Sequence, residues 1–327
     1  MKATIIGTGS ICGCHVHAMK KRGVAVVAVC DIDGKKAAEF ASKHGLDCPV
    51  FTDWKEMLLS VPCDCVHICT PHHLHAEMAE FALNHGINVF SEKPLCTTTE
   101  QLAVIENAVN NSSARYGVCF QNRYLPSNVE AKNLLSDAEV YSASGSVLWE
   151  RDEKYYASGD WRGKWATEGG GALINQAIHT LDLMLYFTGA AKSVTADMKN
   201  DHLKGIIEVE DKAALLVDMG DFNMTFYATT AAKGSHPVTA SFYTDKGVIT
   251  VLGNELMVDG KKIETKESGS IIGKLDWGAG HELIIADFYD CIENGKPFKC
   301  DLQACLPTMK TVLSAYESAK TGKTVKL

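Results

Sequence analysis

Residues 2–31 read KATIIGTGSICGCHVHAMKKRGVAVVAVCD, and this stretch decides the fold. A short apolar β-type run over 2–6 enters Gly7-Thr8-Gly9-Ser10-Ile11-Cys12-Gly13, a helix-compatible segment follows to Arg22, and Gly23 stops it. Residues 24–30 (VAVVAVC) are almost continuously apolar, as expected of a parallel strand covered on both faces. In a strand–turn–helix–strand unit, glycines let backbone N–H groups and the helix N-terminus approach a pyrophosphate. The third glycine of a G-x-G-x-x-G pattern is Cys12 here, with Gly13 one place late. Asp31 ends the second strand, where a carboxylate accepts hydrogen bonds from a ribose diol and repels a 2′-phosphate. That favours NAD, and Lys35 and Lys36 nearby leave NADP open.

The alternation continues outward from this unit. A helix is expected over 33–44, a strand over 64–70, a helix over 74–85 stopped by Gly86, and a strand over 87–90. A helix over 98–110 and a strand over 116–120 complete a doubly wound parallel sheet. After about residue 122 strand patterns dominate, over 139–149 and 191–258, with Asp259-Gly260 as a hairpin turn. Helices are expected near 172–188, 281–293 and 302–320. The expected architecture is α/β: a doubly wound dinucleotide-binding domain over 1–122, then an α+β domain over 123–327 with a mostly antiparallel sheet.

Length and composition agree, since 327 residues suit about two domains. A 46% apolar, 22% charged chain is an ordinary globular one. The net charge of −8, without a block of like charges, argues against nucleic acid or anionic lipid as partner. No stretch approaches the ~18 apolar residues of a membrane span. The N-terminal residues lack the long apolar segment of a secretory signal, so a cytoplasmic location and reduced thiols are expected for the 12 cysteines. Cys63, Cys65, His67, Cys69, His72, His73 and His75 form a dense cluster, but a C-x-C-x-H-x-C run along one strand fits no common zinc spacing. No metal is expected there or at Cys12-Gly13-Cys14.

Two further signals carry chemistry. Glu92-Lys93-Pro94 follows the strand over 87–90, beyond the carboxyl end where open α/β sheets bind ligands. Proline holds the preceding Lys93 out of the helical region, and a partly desolvated lysine beside a cationic ring can move protons near neutral pH. Gly169-Gly170-Gly171 opens ALINQAIHTLDLML, in which Asn175, His179 and Asp182 at spacings of four and three share one face of the expected helix. A polar stripe behind three glycines suggests a ligand.

Taken in order, IIGTGSICGCHVHA (5–18), AVCDID (28–33), ICTPHHLHAEMAEFALNHGINVFSEKPL (68–95), QNRY (121–124), GDWRGKWATEGGGALINQAIHTLDL (159–183) and GHELIIADF (280–288) resemble the glucose–fructose oxidoreductase, inositol dehydrogenase and rhizopine-catabolism (Gfo/Idh/MocA) family over essentially the whole chain. The resemblance implies an N-terminal Rossmann domain over 1–122, a C-terminal domain over 123–327 with an open-faced sheet, and an active site between them. It makes Lys93 the proton relay of the substrate hydroxyl and His179 an alternative or cooperating acid/base. Gly7, Gly9, Ser10, Ile11, Asp31, Thr70, Pro71, His75, Glu92 and Lys93 would line the cofactor, and Asn175, Tyr124, Trp161 and Arg162 the substrate. Most polyol dehydrogenases of the family carry Asp where Asn175 stands; an amide orients a hydroxyl but accepts no proton. Dimers or tetramers are common in the family.

The expected function is therefore NAD(P)-dependent hydride transfer between the nicotinamide and a secondary hydroxyl of a sugar, cyclitol or sugar derivative. Two alternatives stand beside it. One is a redox-neutral glycoside-cleaving enzyme with tightly bound NAD, acting by transient oxidation and elimination. The other is a nicotinamide-binding regulator without turnover.

Overall fold

In a computed structural model, described over residues 1–266, 269 and 278–327, the chain forms two units. The first comprises residues 1–121 and 269–303, and the second 122–268 and 304–327. The strands and helices of the first unit alternate as β1 (Lys2–Ile6), α1 (Cys12–Arg22), β2 (Ala25–Cys30), α2 (Gly34–Lys43), β3 (Val50–Phe51), α3 (Trp54–Ser60), β4 (Cys65–Ile68), α4 (His75–Asn84), β5 (Asn88–Ser91), α5 (Thr99–Asn110) and β6 (Tyr116–Val118). All six strands are parallel in the order β3-β2-β1-β4-β5-β6. This is the doubly wound Rossmann order, whose ligand crevice lies beyond the carboxyl ends of the strands. Asp33, Asp53 and Thr98 cap α2, α3 and α5 with side-chain oxygens, each satisfying first-turn N–H groups.

The second unit opens with α6 (Pro126–Ser136), β7 (Val140–Leu148) and the short α7 (Glu153–Tyr156). A π-helical turn (Ala172–Ala177) runs directly into α8 (Ile178–Thr188). There follow β8 (Ser193–Lys199), β9 (Lys212–Asp218), β10 (Asn223–Thr229), β11 (Thr239–Thr244), β12 (Gly247–Leu252), β13 (Glu255–Val258) and β14 (Lys261–Ile263). Asp259 and Gly260, both with positive φ, join β13 to β14 in the expected hairpin. Later in the chain come α9 (Gly280–Asn294), which belongs to the first unit, then α10 (Leu302–Thr321) and β15 (Val325–Lys326).

The nine strands are ordered β14-β13-β12-β11-β7-β10-β9-β8-β15 and pair antiparallel except for β7 with β10. Along β9 and β10, residues 213, 215, 217, 224, 226 and 228 are buried and their alternates exposed. Phe226, Phe242 and Val194 fill the inner face, where Met184 of α8 presses so closely on Gly145 that an added Cβ would lie 2.3 Å from its sulfur. The outer face carries exposed Leu216, Tyr227 and Tyr243.

Candidate active site

The turn after β1 is shaped by close approach. Gly7 has φ +89°, and a Cβ there would lie 2.5 Å from the Cys69 carbonyl oxygen, so no other residue fits without moving the backbone. No side chain caps α1, leaving its N-terminus to an external anion. Gly9 and Ile11 are half-buried and Ser10 is exposed at its lip. Cys12, at the third-glycine position, is fully buried, while Gly13 gives room to the His44 ring, 3.2 Å from where a Cβ would stand.

Asp31 Oδ2 accepts hydrogen bonds from Thr8 N and Thr8 Oγ1, both 2.8 Å, and from Lys36 Nζ at 2.9 Å. Burial pushes its pKa up, but Lys36 and Thr8 outweigh burial and hold it below the ordinary aspartate range. The carboxylate is thus ionised and fixed, as ribose recognition requires. Lys35, by contrast, faces Glu39 at 4.0 Å.

Beyond β4 and β5, His75 lies between two loops. Its Nδ1 is 2.7 Å from the Pro94 carbonyl and its Nε2 2.9 Å from the Thr70 carbonyl. Burial lowers its pKa, and the neutral ring donates to one of these oxygens at a time. His75 therefore fastens Thr70 and Pro71 to the Lys93-Pro94 segment, whose peptide bond is cis. Glu92 Oε2 accepts the Lys93 N–H at 3.2 Å, and Lys93 itself is half-buried.

Behind Glu92 runs a buried chain of polar groups that sequence reading missed. Glu92 Oε1 is 3.0 Å from His15 Nε2, His15 Nδ1 is 2.8 Å from His67 Nδ1, and His67 Nε2 is 2.7 Å from Tyr289 Oη. Burial opposes charge on His15, but the Cys69 sulfur and Glu92 push its pKa up to about 10. The Cys69 thiol is itself pushed well up by burial, so Glu92 supplies the negative charge near neutral pH. Burial raises the Glu92 pKa too, yet hydrogen bonding and charge from His15 hold it well below the usual carboxylate range. Burial and the charge on His15 drive the His67 pKa down. The proton order follows: imidazolium His15 donates to both Glu92 and His67, and neutral His67 donates through Nε2 to Tyr289. Donor atoms of His15, Glu92 and Cys119 also lie within 4.8 Å of one another, a spacing a metal could use, although the ion pair already satisfies two of the three.

In the second unit the three glycines form a cradle. A Cβ on Gly170 would lie 2.0 Å from Tyr316 Oη, and one on Gly171 2.1 Å from the Glu210 carbonyl oxygen. The buried Glu210 carboxylate accepts Gly171 N at 2.8 Å, Leu173 N at 2.9 Å and Tyr316 Oη–H at 2.9 Å, so it closes the N-terminal end of the π-helical turn. Burial outweighs these bonds and raises its pKa to about 7. Because the folded value exceeds the ordinary 4.5, native protein holds the extra proton between these pH values, and its stability falls as pH rises through that window. Glu210→Gln cannot titrate. The stability advantage of wild type over this variant should shrink by up to about 3 kcal/mol between pH 4.5 and 7. Urea unfolding at a series of pH values checks this; a constant difference contradicts it.

The expected polar stripe is divided. A π-turn (Ala172–Ala177) carries Asn175, so the three-and-four spacing of an α-helix does not hold there. Asp182 is structural: Arg123 grips it through Nε at 2.8 Å and Nη2 at 2.6 Å, and Thr308 Oγ1 donates at 2.7 Å. Asn175 donates to the buried Glu168 carboxylate and, at 3.4 Å, to Tyr155 Oη. Gln176 Nε2 donates to the same hydroxyl at 2.8 Å, and Arg162 Nη1 at 2.6 Å. Trp161 stacks under Arg162 at 4.5 Å. Tyr124 closes a 3-10 turn (Gln121–Tyr124), and His179 is the second residue of α8. Tyr155, Glu168 and Gln176 join Asn175 and Arg162 in one cluster. Glu168 and Gln176 stand next to the glycines and Asn175, which was the available signal for them.

This turn, carboxylate and lysine sit on a fold with close relatives. The family model described as "Oxidoreductase family, NAD-binding Rossmann fold" matches residues 1–120, and the "GFO/IDH/MocA C-terminal domain" matches 138–250. The chain belongs to the Gfo/Idh/MocA oxidoreductase family, and its N-terminal domain is an NAD-binding Rossmann domain. D-glucoside 3-dehydrogenase of Escherichia coli is 26% identical across 100% of this chain and 97% of its own length. Levoglucosan dehydrogenase of Pseudarthrobacter phenanthrenivorans is 30% identical over 51% of this chain, and the match spans only 44% of that relative. Among solved structures, the WlbA dehydrogenase of Bordetella pertussis, in complex with NADH and UDP-GlcNAcA, superposes with a TM-score of 0.87 at 25% identity, covering 100% of this chain and 98% of that one. Among the described residues, no helix is long and apolar enough to cross a membrane.

Proposed function

We propose that this protein is an NAD-dependent dehydrogenase oxidising a secondary hydroxyl of a sugar, cyclitol or sugar derivative. Residues 1–122 bind the dinucleotide and 123–327 the substrate. The observation that carries the reading is Lys93, held at the carboxyl end of β5 through its N–H on an ionised, imidazolium-clamped Glu92. Bound nicotinamide would accept the hydride of the carbinol carbon. Lys93 takes the hydroxyl proton, with His179 as alternative or partner, so the O–H and C–H hydrogens leave as proton and hydride and a ketone remains. Gly7, Gly9, Ser10 and Ile11 hold the pyrophosphate, Asp31 the ribose diol, and Thr70, Pro71, His75 and Glu92 frame the nicotinamide side. Asn175, Tyr124, Trp161 and Arg162 orient the substrate. The twelve free thiols suit the reducing cytoplasm.

The test is an absorbance screen at 340 nm with NAD and D-glucosides, myo-inositol and levoglucosan, alongside analysis of the sugar products. A ketone with stoichiometric NADH supports the reading. Glycoside cleavage without net NADH, or no chemistry on any hydroxylated substrate, overturns it.

Two expectations accompany it. Asp31→Ser should raise the NADPH-to-NADH affinity ratio about tenfold or more, because it removes a fixed negative charge and frees Lys36 for a 2′-phosphate. Fluorescence titration with each reduced cofactor checks this, and an unchanged ratio contradicts it. The outward Leu216, Tyr227 and Tyr243 support self-association through the nine-stranded sheet. Sedimentation should show a dimer or tetramer, and a monomer would contradict that.

A further inference from the structure

We propose that the substrate carries an anionic group, a carboxylate or a phosphate, which Arg151 and Arg162 bind. The inference rests on the reading above that Asn175 and its neighbours hold the sugar.

Both guanidinium groups lie against Tyr155, with Arg162 4.5 Å and Arg151 5.0 Å from its ring centroid. Trp161 backs Arg162 at 4.5 Å, and Trp149 backs Arg151 at 4.9 Å. Aromatic faces fix the guanidinium planes, with Nη1 of each already donating, Arg151 to the Glu150 carbonyl and Arg162 to Tyr155 Oη, and a fixed guanidinium favours carboxylate or phosphate oxygens.

The chain has five arginines, and Arg22 and Arg123 are in ion pairs with carboxylates. Among the described residues no carboxylate pairs with Arg151 or Arg162. The nearby acids accept from amides. Glu168 accepts from Gly163 N and Asn175, Glu150 from Gly234 N, and Asp152 from Tyr155 N.

Donors and acceptors are left over as well. The Nε atoms of Arg151 and Arg162 are buried without hydrogen-bond partners. So is Oε1 of Gln176, a side chain 5% exposed whose Nε2 is spent on Tyr155. Buried polar atoms without partners are costly, and a ligand bringing anionic oxygens for the arginines and a hydroxyl for Gln176 satisfies all three. A neutral sugar's hydroxyls accept from the same N–H groups, but they leave both guanidinium charges without a counter-charge.

The experiment compares D-glucose, D-glucuronate and D-glucose 6-phosphate, which differ only at C6, on the NAD-loaded protein. Turnover and the thermal midpoint are both read, the second needing no chemistry. One anionic sugar should exceed glucose about tenfold or more in kcat/KM, or in affinity taken from the midpoint shift. Glucuronate winning identifies a carboxylate, and glucose 6-phosphate a phosphate. That preference should collapse in Arg151→Gln and Arg162→Gln and weaken with added NaCl. Glucose matching both anions, or a preference that survives both substitutions, overturns the proposal. Anion-selective binding without NADH formation would sink the dehydrogenase reading and leave the anion site standing.

Discussion

Lys93→Ala should lower turnover about 10²–10⁴-fold, the range for losing a positioned proton-transfer group, while leaving NADH affinity nearly intact. The expectation separates backbone from side chain. The Lys93 N–H on Glu92 and the Pro94 carbonyl contact with His75 belong to the main chain and survive truncation. The turn at Gly7 and the Asp31 carboxylate, proposed to hold the cofactor, lie on other loops, so cofactor fluorescence should titrate as in wild type. Only the amine proposed to take the hydroxyl proton is removed. A primary amine such as methylamine in the buffer should then recover part of the lost rate. Wild-type turnover by the variant would remove Lys93 from the mechanism and leave His179 as the proton-transfer group, which His179→Asn would test.

What could be read from the residues divides by distance along the chain. Gly7, Asp31 and Lys93 are local signals, since each acts through a turn or strand end a few residues away. The alternation of strands and helices was likewise legible over most of 1–120. Right-handed crossovers limit the possible strand orders without choosing among them, and the structure takes β3-β2-β1-β4-β5-β6. The short β3 and α3 went unread, although Asp53 is an ordinary cap signal. So did α6, whose helix opens on Pro126, and α7, only four residues long.

Farther contacts left no local trace. His15, His67 and Tyr289 come from α1, β4 and α9, with 52 and 222 residues between successive partners, and nothing in each neighbourhood announces the others. The π-turn was unreadable for a different reason. Six apolar-rich residues fit α and π geometry equally, and the choice is made by Glu210 and the glycines, some 40 residues apart in sequence. Asp182 resembled a ligand-facing group for the same reason: its partner Arg123 lies 59 residues upstream.

The His15–Glu92 pair carries the other large expectation. Glu92→Leu should destabilise the first unit by about 3–5 kcal/mol, the cost of breaking a buried pair by removing one partner. His15→Leu should cost a similar amount, because Glu92 would then keep its charge without the imidazolium. The double variant, with both groups apolar, should cost much less than the two singles together, since the charges disappear as a pair. Urea unfolding of the three variants measures this, and additive losses would refute the pairing. The pH dependence has a definite sign. The folded His15 value of about 10 exceeds its ordinary 6.5, so its contribution is complete below pH 6.5 and is lost as pH rises towards 10. Glu92, depressed in the fold, loses its contribution only as pH falls below the usual carboxylate range. Wild type should therefore lose stability between pH 6.5 and 10, and Glu92→Leu should flatten that decline, because without the carboxylate burial returns His15 to its neutral form. Turnover should fall in the same variant, since the Lys93 N–H loses the acceptor that fixes it. Retained stability with reduced turnover would reduce Glu92 to a local support for Lys93, whereas loss of both together is what a buried clamp requires.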